Sequence, residues 1–99
     1  MSRYTLSAEA RRGLQSIIEY VEREFGSMVA DEVLAHFEVA FDRLVRRPML
    51  GRSRTDLSKD RSLRFWCVGP SLIAYRRSPN GIEIAAIARA EQDWSRRPL

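Results

Sequence analysis

Ser62-Leu63-Arg64-Phe65-Trp66-Cys67-Val68, Gly69-Pro70, Leu72-Ile73-Ala74-Tyr75-Arg76-Arg77, Ser78-Pro79-Asn80-Gly81 and Ile82-Glu83-Ile84-Ala85-Ala86-Ile87-Ala88-Arg89 follow one another with only Ser71 between them. The first, third and fifth of these strings are rich in β-branched and aromatic residues and are bounded by Gly, Pro and Asn, the pattern of three short strands. Asn80-Gly81 favours the two positive φ angles of a tight hairpin turn. The stretch therefore predicts an antiparallel meander, and the rest of the chain must cover it.

Upstream, Leu14, Ile17, Ile18, Val21 and Phe25 recur at the spacing of one helix face, with Arg11, Arg12, Gln15, Glu19, Glu22 and Arg23 on the others. Ser7 is placed to cap this helix and Gly26 to stop it. A second stripe, Ala30, Val33, Leu34, Phe37, Phe41 and Leu44, predicts a second helix. Ser27 is expected as its cap, Asp31 and Glu32 in its first turn, and Arg43, Arg46 and Arg47 in its last turn before Pro48. Arg3-Tyr4-Thr5-Leu6 reads as a short opening strand. Pro48 to Arg61 shows no periodicity and reads as a long loop, either functional or a plain crossover. The expected architecture is a single α+β domain over residues 1–99, ordered β-α-α-β-β-β, with the helical hairpin on one face of a small sheet.

At 99 residues and 11.5 kDa, a second independent core does not fit. Hydrophobic residues at 44% and charged residues at 30% are those of an ordinary globular chain. The longest apolar run, Ile84 to Ala88, is far short of the ~20 residues of a membrane span. With no signal-like N-terminal block, a cytoplasmic location without membrane contact is expected. One cysteine and one histidine, Cys67 and His36, exclude a disulfide framework and the usual Cys/His metal sites. No cofactor is expected, and Cys67 reads as a small buried hydrophobe in its strand.

Charge is divided unevenly. Residues 1–45 carry five Arg against eight Asp and Glu, and residues 46–99 carry twelve Lys and Arg against five acids. The basic half attracts nucleic acid or an acidic protein. Alternation sets Leu63, Phe65 and Cys67 against Arg64, Trp66 and Val68, and Ile82, Ile84, Ala86 and Ala88 against Glu83, Ala85, Ile87 and Arg89. One face is then apolar and the other mixed, leaving Trp66 and Ile87 partly uncovered. A mixed face with Arg64, Trp66 and Arg89 suits a partner, although a Trp covered by the C-terminal tail gives the same pattern. Both helix stripes are needed for the core, which leaves no recognition helix for sequence-specific binding to nucleic acid.

Several strings resemble the ParE toxins of bacterial type II toxin-antitoxin operons, within the RelE/ParE superfamily. These are Leu6-Ser7-Ala8-Glu9-Ala10, Pro48-Met49-Leu50-Gly51-Arg52 with Arg54 and Asp56, Leu63-Arg64, Val68-Gly69, and Leu72-Ile73-Ala74-Tyr75-Arg76. The resemblance implies a non-enzymatic toxin that poisons DNA gyrase and is neutralised by a cognate acidic, ParD-like antitoxin in a hetero-oligomer. Arg64, Trp66, Arg76, Arg89, Trp94, Arg96 and Arg97 are the expected partner-binding residues. The alternative within the superfamily is a ribosome-dependent mRNA endonuclease of the RelE type. That chemistry needs a base and an acid beside the phosphate, yet no Tyr or His follows Tyr75 and the single lysine, Lys59, is in the loop. Glu83, Glu91 and Asp93 are the residues left to serve as a base. Many ParE toxins end the last strand with His-Gly-Ala-Arg-Asp, where this chain reads Arg89-Ala90-Glu91-Gln92-Asp93, keeping only the final Asp.

Overall fold

The computed structural model describes residues 3–92 and Trp94. β1 (Tyr4–Leu6) leads into α1 (Ala8–Phe25), α2 (Ser27–Arg46), β2 (Arg64–Val68), β3 (Ser71–Ser78) and β4 (Gly81–Arg89), the expected order. The four strands form one mixed sheet in the order β1-β4-β3-β2. β2, β3 and β4 pair antiparallel as the hairpin turns require, and β1 joins β4 in parallel.

Ser7 caps α1 as predicted, its Oγ accepting from the Ala10 N–H at 3.0 Å. The same hydroxyl donates to the Ala85 carbonyl at 2.7 Å, which fastens the start of the helix to β4. Further along α1, Gly13 lies against β4 so closely that a Cβ there would collide with the Ile87 carbonyl. The join to α2 is one residue, Gly26, with φ of 91°. This corrects the expected Ser27 cap. The Gly26 carbonyl already accepts from the Ala30 N–H at 3.1 Å, so Ser27 lies inside the helix and Asp31 and Glu32 fall beyond its first turn.

The helices bury Ala10, Phe37, Phe41 and Leu44 against Ile73, Tyr75, Ile82, Ile84 and Ile87, with Trp66 and Val68 at the margin. The opposite sheet face buries Leu63, Phe65, Leu72, Ala74, Ala86 and Ala88 beneath Trp94. Simple alternation fails in β4, where Tyr75 faces Ile84 but Ala74 faces Ala86, leaving Ala85 as an extra residue. Such a bulge reverses the parity of everything after it, and it turns Ile87 toward the helices together with Ile82 and Ile84. The helix-covered face consequently combines Arg64, Trp66, Val68, Ile87 and Arg89 of the predicted mixed face with Ile82 and Ile84 of the predicted apolar one, and Glu83 and Ala85 lie on the other side. Ile87 is fully buried rather than uncovered.

Two further expectations are corrected. Phe25, at the last turn of α1, is 62% exposed because the helix runs past the end of the sheet it covers. Cys67 is exposed, because β2 is an edge strand and its side chain lies beyond the patch that Trp94 covers. Among the described residues, no helix is long and apolar enough to cross a membrane.

Candidate partner-binding surface

The segment between α2 and β2 is stitched to the sheet. Arg52 and Phe65 exchange both backbone hydrogen bonds, at 3.0 and 2.7 Å, which extends the sheet by one bridge beyond β2. The buried Tyr75 hydroxyl donates to the Pro48 carbonyl and accepts from the Gly51 N–H, each at 2.7 Å. Burial pushes this hydroxyl's pKa up, against the Gly51 hydrogen bond and the charge of Arg64. Farther out, Arg54 grips Asp56 with two hydrogen bonds at 3.0 and 2.8 Å, holding that carboxyl below the usual range.

Most of the arginines expected to meet a partner are engaged inside the chain. Arg64 donates to the Gly51 carbonyl at 2.7 Å and so completes the Pro48–Gly51 anchorage. Arg76 lies on the opposite sheet face, between Glu83 at 2.9 Å and Asp60 at 3.0 Å. Hydrogen bonds from Ser62, reinforced by Arg76, hold the Asp60 carboxyl below its ordinary range. The Arg89 guanidinium stacks 5.6 Å from the centre of the Tyr20 ring, which Arg23 also approaches at 5.9 Å. Glu91 lies 3.1 Å from the Arg89 Nε but off the line of its N–H, a charge contact rather than a hydrogen bond. Arg64 is level with Tyr75 and Ile84, and Arg89 with Ser71 and Val68, so the two are separated by roughly 13 Å along the strands.

Trp94 is 2% exposed, packs edge-on against Phe65 at 5.7 Å and donates its Nε1–H to the Arg89 carbonyl at 3.2 Å. Its ring closes the second core cluster. Arg96 and Arg97 lie outside the described residues. Trp66 is half-buried on the helix side, where it floors a groove with Leu50 below the C-terminal turn of α2. Among the described residues no cluster of three or more His, Cys, Asp or Glu side chains gathers to hold a metal.

Sequence reasoning missed the exposed arginines around that groove. Arg43, Arg46 and Arg47 stand along one side of it and Arg52 beyond Leu50. Their signal was in the chain as the basic end of α2 followed by Pro48-Met49-Leu50-Gly51-Arg52. It read as helix termination, and only the docking of the loop onto β2 brings the two parts together.

The model of the ParE toxin of type II toxin-antitoxin systems, parDE, matches residues 4–94. The chain belongs to the ParE toxin family. A solved structure, the chromosomal ParDE TA system from P. aeruginosa, superposes with a TM-score of 0.74 at 19% identity, covering 92% of this chain and 98% of the other. That likeness shows a shared fold of two helices packed on a four-strand mixed sheet. No curated protein matches the chain in sequence. Membership makes this ParE chain a toxin of a type II toxin-antitoxin system, and it places an antitoxin beside it as partner.

Proposed function

We propose that this ParE chain acts by binding rather than by catalysis, arresting growth by poisoning DNA gyrase in the cytoplasm. A ParD-like acidic antitoxin neutralises it by forming a hetero-oligomer, and the pair stabilises the replicon that encodes it. The observation that carries the non-enzymatic reading is the engagement of Tyr75, Glu83, Asp60 and Glu91 by other groups of the chain; Asp93, the remaining base candidate, lies outside the described residues. The Tyr75 hydroxyl is buried and doubly hydrogen-bonded, Glu83 and Asp60 are held by Arg76, and Glu91 sits on Arg89. A carboxylate engaged by a guanidinium, with Asp60 also held below its ordinary range by Ser62 and Arg76, is a poor base for a ribose hydroxyl. Arginine itself stays charged at any useful pH and stabilises a phosphate without moving its proton.

The test is to induce the toxin without its antitoxin, map RNA ends on translating ribosomes, and assay the purified chain against gyrase supercoiling. Inhibited supercoiling with no codon-phased cleavage is expected. Cleavage in the ribosomal A site that vanishes in an Arg76→Ala or Glu91→Ala variant, with gyrase untouched, would replace this reading with the endonuclease.

A further inference from the structure

The tip of the helical hairpin carries an apolar knob that nothing in the fold uses. Phe25, Met28 and Val29 fall within five positions of one another across the Gly26 turn, and Met28 is 79% and Phe25 62% exposed. Single exposed apolar side chains are ordinary, but large ones gathered at one turn mark a contact surface. Gly26 opens to solvent, with nothing near the place that a Cβ would take. The rim of the knob is acidic, since residues 19–32 carry five acids against one Arg. Glu22, Asp31 and Glu32 are exposed, and among the described residues none of their side chains has a hydrogen-bonded or ion-paired partner.

Charge decides what this knob fits. Nucleic acid and an anionic lipid surface are both repelled by it, and helix faces that lie on membranes carry Lys and Arg beside their apolar residues. Its complement is an apolar hollow with a basic rim, and the same chain has one at the other end of α2. There Leu50, Trp66 and the 57% exposed Val39 line a trough of about 530 Å³ with Arg43, Arg46 and Arg47 along it and Asp42 as the one carboxylate among its described lining residues. These three guanidinium groups likewise have no hydrogen-bonded or ion-paired partner among the described residues, unlike Arg54, Arg64, Arg76 and Arg89. A molecule cannot seat its own knob in its own trough, because the 20 residues of α2 hold the two roughly 30 Å apart.

We propose that the knob of one copy of this chain seats in the trough of the next. Phe25 and Met28 enter the apolar hollow, and the carboxylates around them meet Arg43, Arg46 and Arg47. Knob and trough are different surfaces, so the contact is head to tail and each added copy leaves one knob and one trough free. Chains or rings follow, not a closed two-fold dimer. One turn in one groove buries less than a standard interface, which makes the association weak, dependent on concentration and loosened by salt. It needs only the chain itself and stands or falls independently of the toxin's target.

The experiment takes the full chain, separated from its antitoxin, and follows its weight-average mass by sedimentation across protein concentration and salt. The mass should at least double at high concentration and fall back at about 1 M salt, where screening acts beyond about 3 Å. A knob variant, Phe25→Ser/Met28→Glu, and a trough variant, Arg43→Glu/Arg46→Glu, should each stay monomeric. Mixed, they should form a one-to-one dimer and nothing larger, because each supplies the surface that the other lacks. All four positions are exposed, and unchanged melting temperatures certify both folds. A parent chain that stays monomeric at every concentration overturns the proposal. Association that survives both pairs of substitutions places the contact elsewhere and overturns it too. A trough variant that still dimerises would show knob meeting knob across a two-fold axis, and variants that remain monomeric when mixed would show that knob and trough never meet; either result ends the proposal.

Discussion

Two sets of arginines divide the basic half of this toxin. Arg64, Arg76 and Arg89 project from the meander, yet each is committed within the chain: to the Gly51 carbonyl, to Asp60 and Glu83, and to Tyr20 with Glu91. Arg43, Arg46, Arg47 and Arg52 sit on a helix end and a loop, where sequence reading gave the first three only a terminating role and Arg52 only a place in a family-like string, and they have open groove beside them. Formal charge counts both sets equally. What separates them is whether a carbonyl, carboxylate or ring of the same chain stands within reach, and that is a property of strand register and loop docking.

The largest test of this division is at Trp94, the aromatic residue grouped by sequence with the binding arginines. Its ring is buried on Phe65, so Trp94→Ala is expected to cost about 3–5 kcal/mol of folding stability. Chemical denaturation measures it. A loss below about 1 kcal/mol, with antitoxin affinity reduced instead, would move Trp94 to the binding surface.

The second test is at the loop anchorage. Arg64→Ala removes a charge-assisted hydrogen bond worth about 1.5–3 kcal/mol, and Tyr75→Phe strands the Gly51 N–H at about 1–3 kcal/mol. Both groups hold Pro48 to Gly51, so the double variant should lose less than the sum of the singles. Strict additivity in a double-mutant cycle would show that Arg64 and Tyr75 act separately. Partner affinity falling in step with stability marks Arg64 as a support of the surface rather than a contact with the partner.

The third test uses pH. Ser62 and Arg76 lower the Asp60 pKa in the folded chain, so the stabilisation is fully present above the unfolded carboxyl value of about 3.9 and fades as pH falls through the lower folded value. Asp60→Asn should therefore lower the melting temperature at neutral pH and converge with the parent chain in acid. A difference that persists below that range would mean that Asp60 acts by shape and not by charge.

The elements were legible because each carries its own local signature: the stripes from Leu14 to Val21 and from Phe37 to Leu44, the Ser7 cap, the Gly26 stop and the break at Ser78 to Gly81, although the hairpin turns on Pro79-Asn80 without a positive φ at Asn80, and Gly81 opens β4. The faces were not. Ile84-Ala85-Ala86-Ile87-Ala88 is apolar throughout, so alternation cannot reveal the one-residue slip at Ala85. Cys67 looked buried because sequence does not say which strand is at the edge. Arg64 looked free because its acceptor, Gly51, is thirteen positions away, in a segment without periodicity. The candidate trough was legible only in halves, a basic helix end and a Leu50-Gly51-Arg52 string, joined by hydrogen bonds to Phe65 and Tyr75.

The smallest effect is the one that most sharpens the comparison. Arg43 and Arg46 are exposed on the last turns of α2, and their side chains have no ion-pair partner among the described residues. Replacing either with Ala removes no internal contact and only relaxes crowding among neighbouring cations. It also forfeits the favourable meeting of a positive charge with the helix C-terminus, worth about 0.3–1 kcal/mol. These two terms oppose each other, and the net change in stability should stay within about 0.5 kcal/mol, as for other exposed positions. The same substitutions should weaken the antitoxin complex and flatten its dependence on salt, because free charges at an interface act through screened attraction. Arg64→Ala should do the reverse, with a large loss of stability and an unchanged salt slope. Urea denaturation of the free toxin, paired with affinity measured across ionic strengths, places each arginine in its set. A flat salt slope for Arg43→Ala matched by a parent slope just as flat would show that these free charges serve something other than the antitoxin.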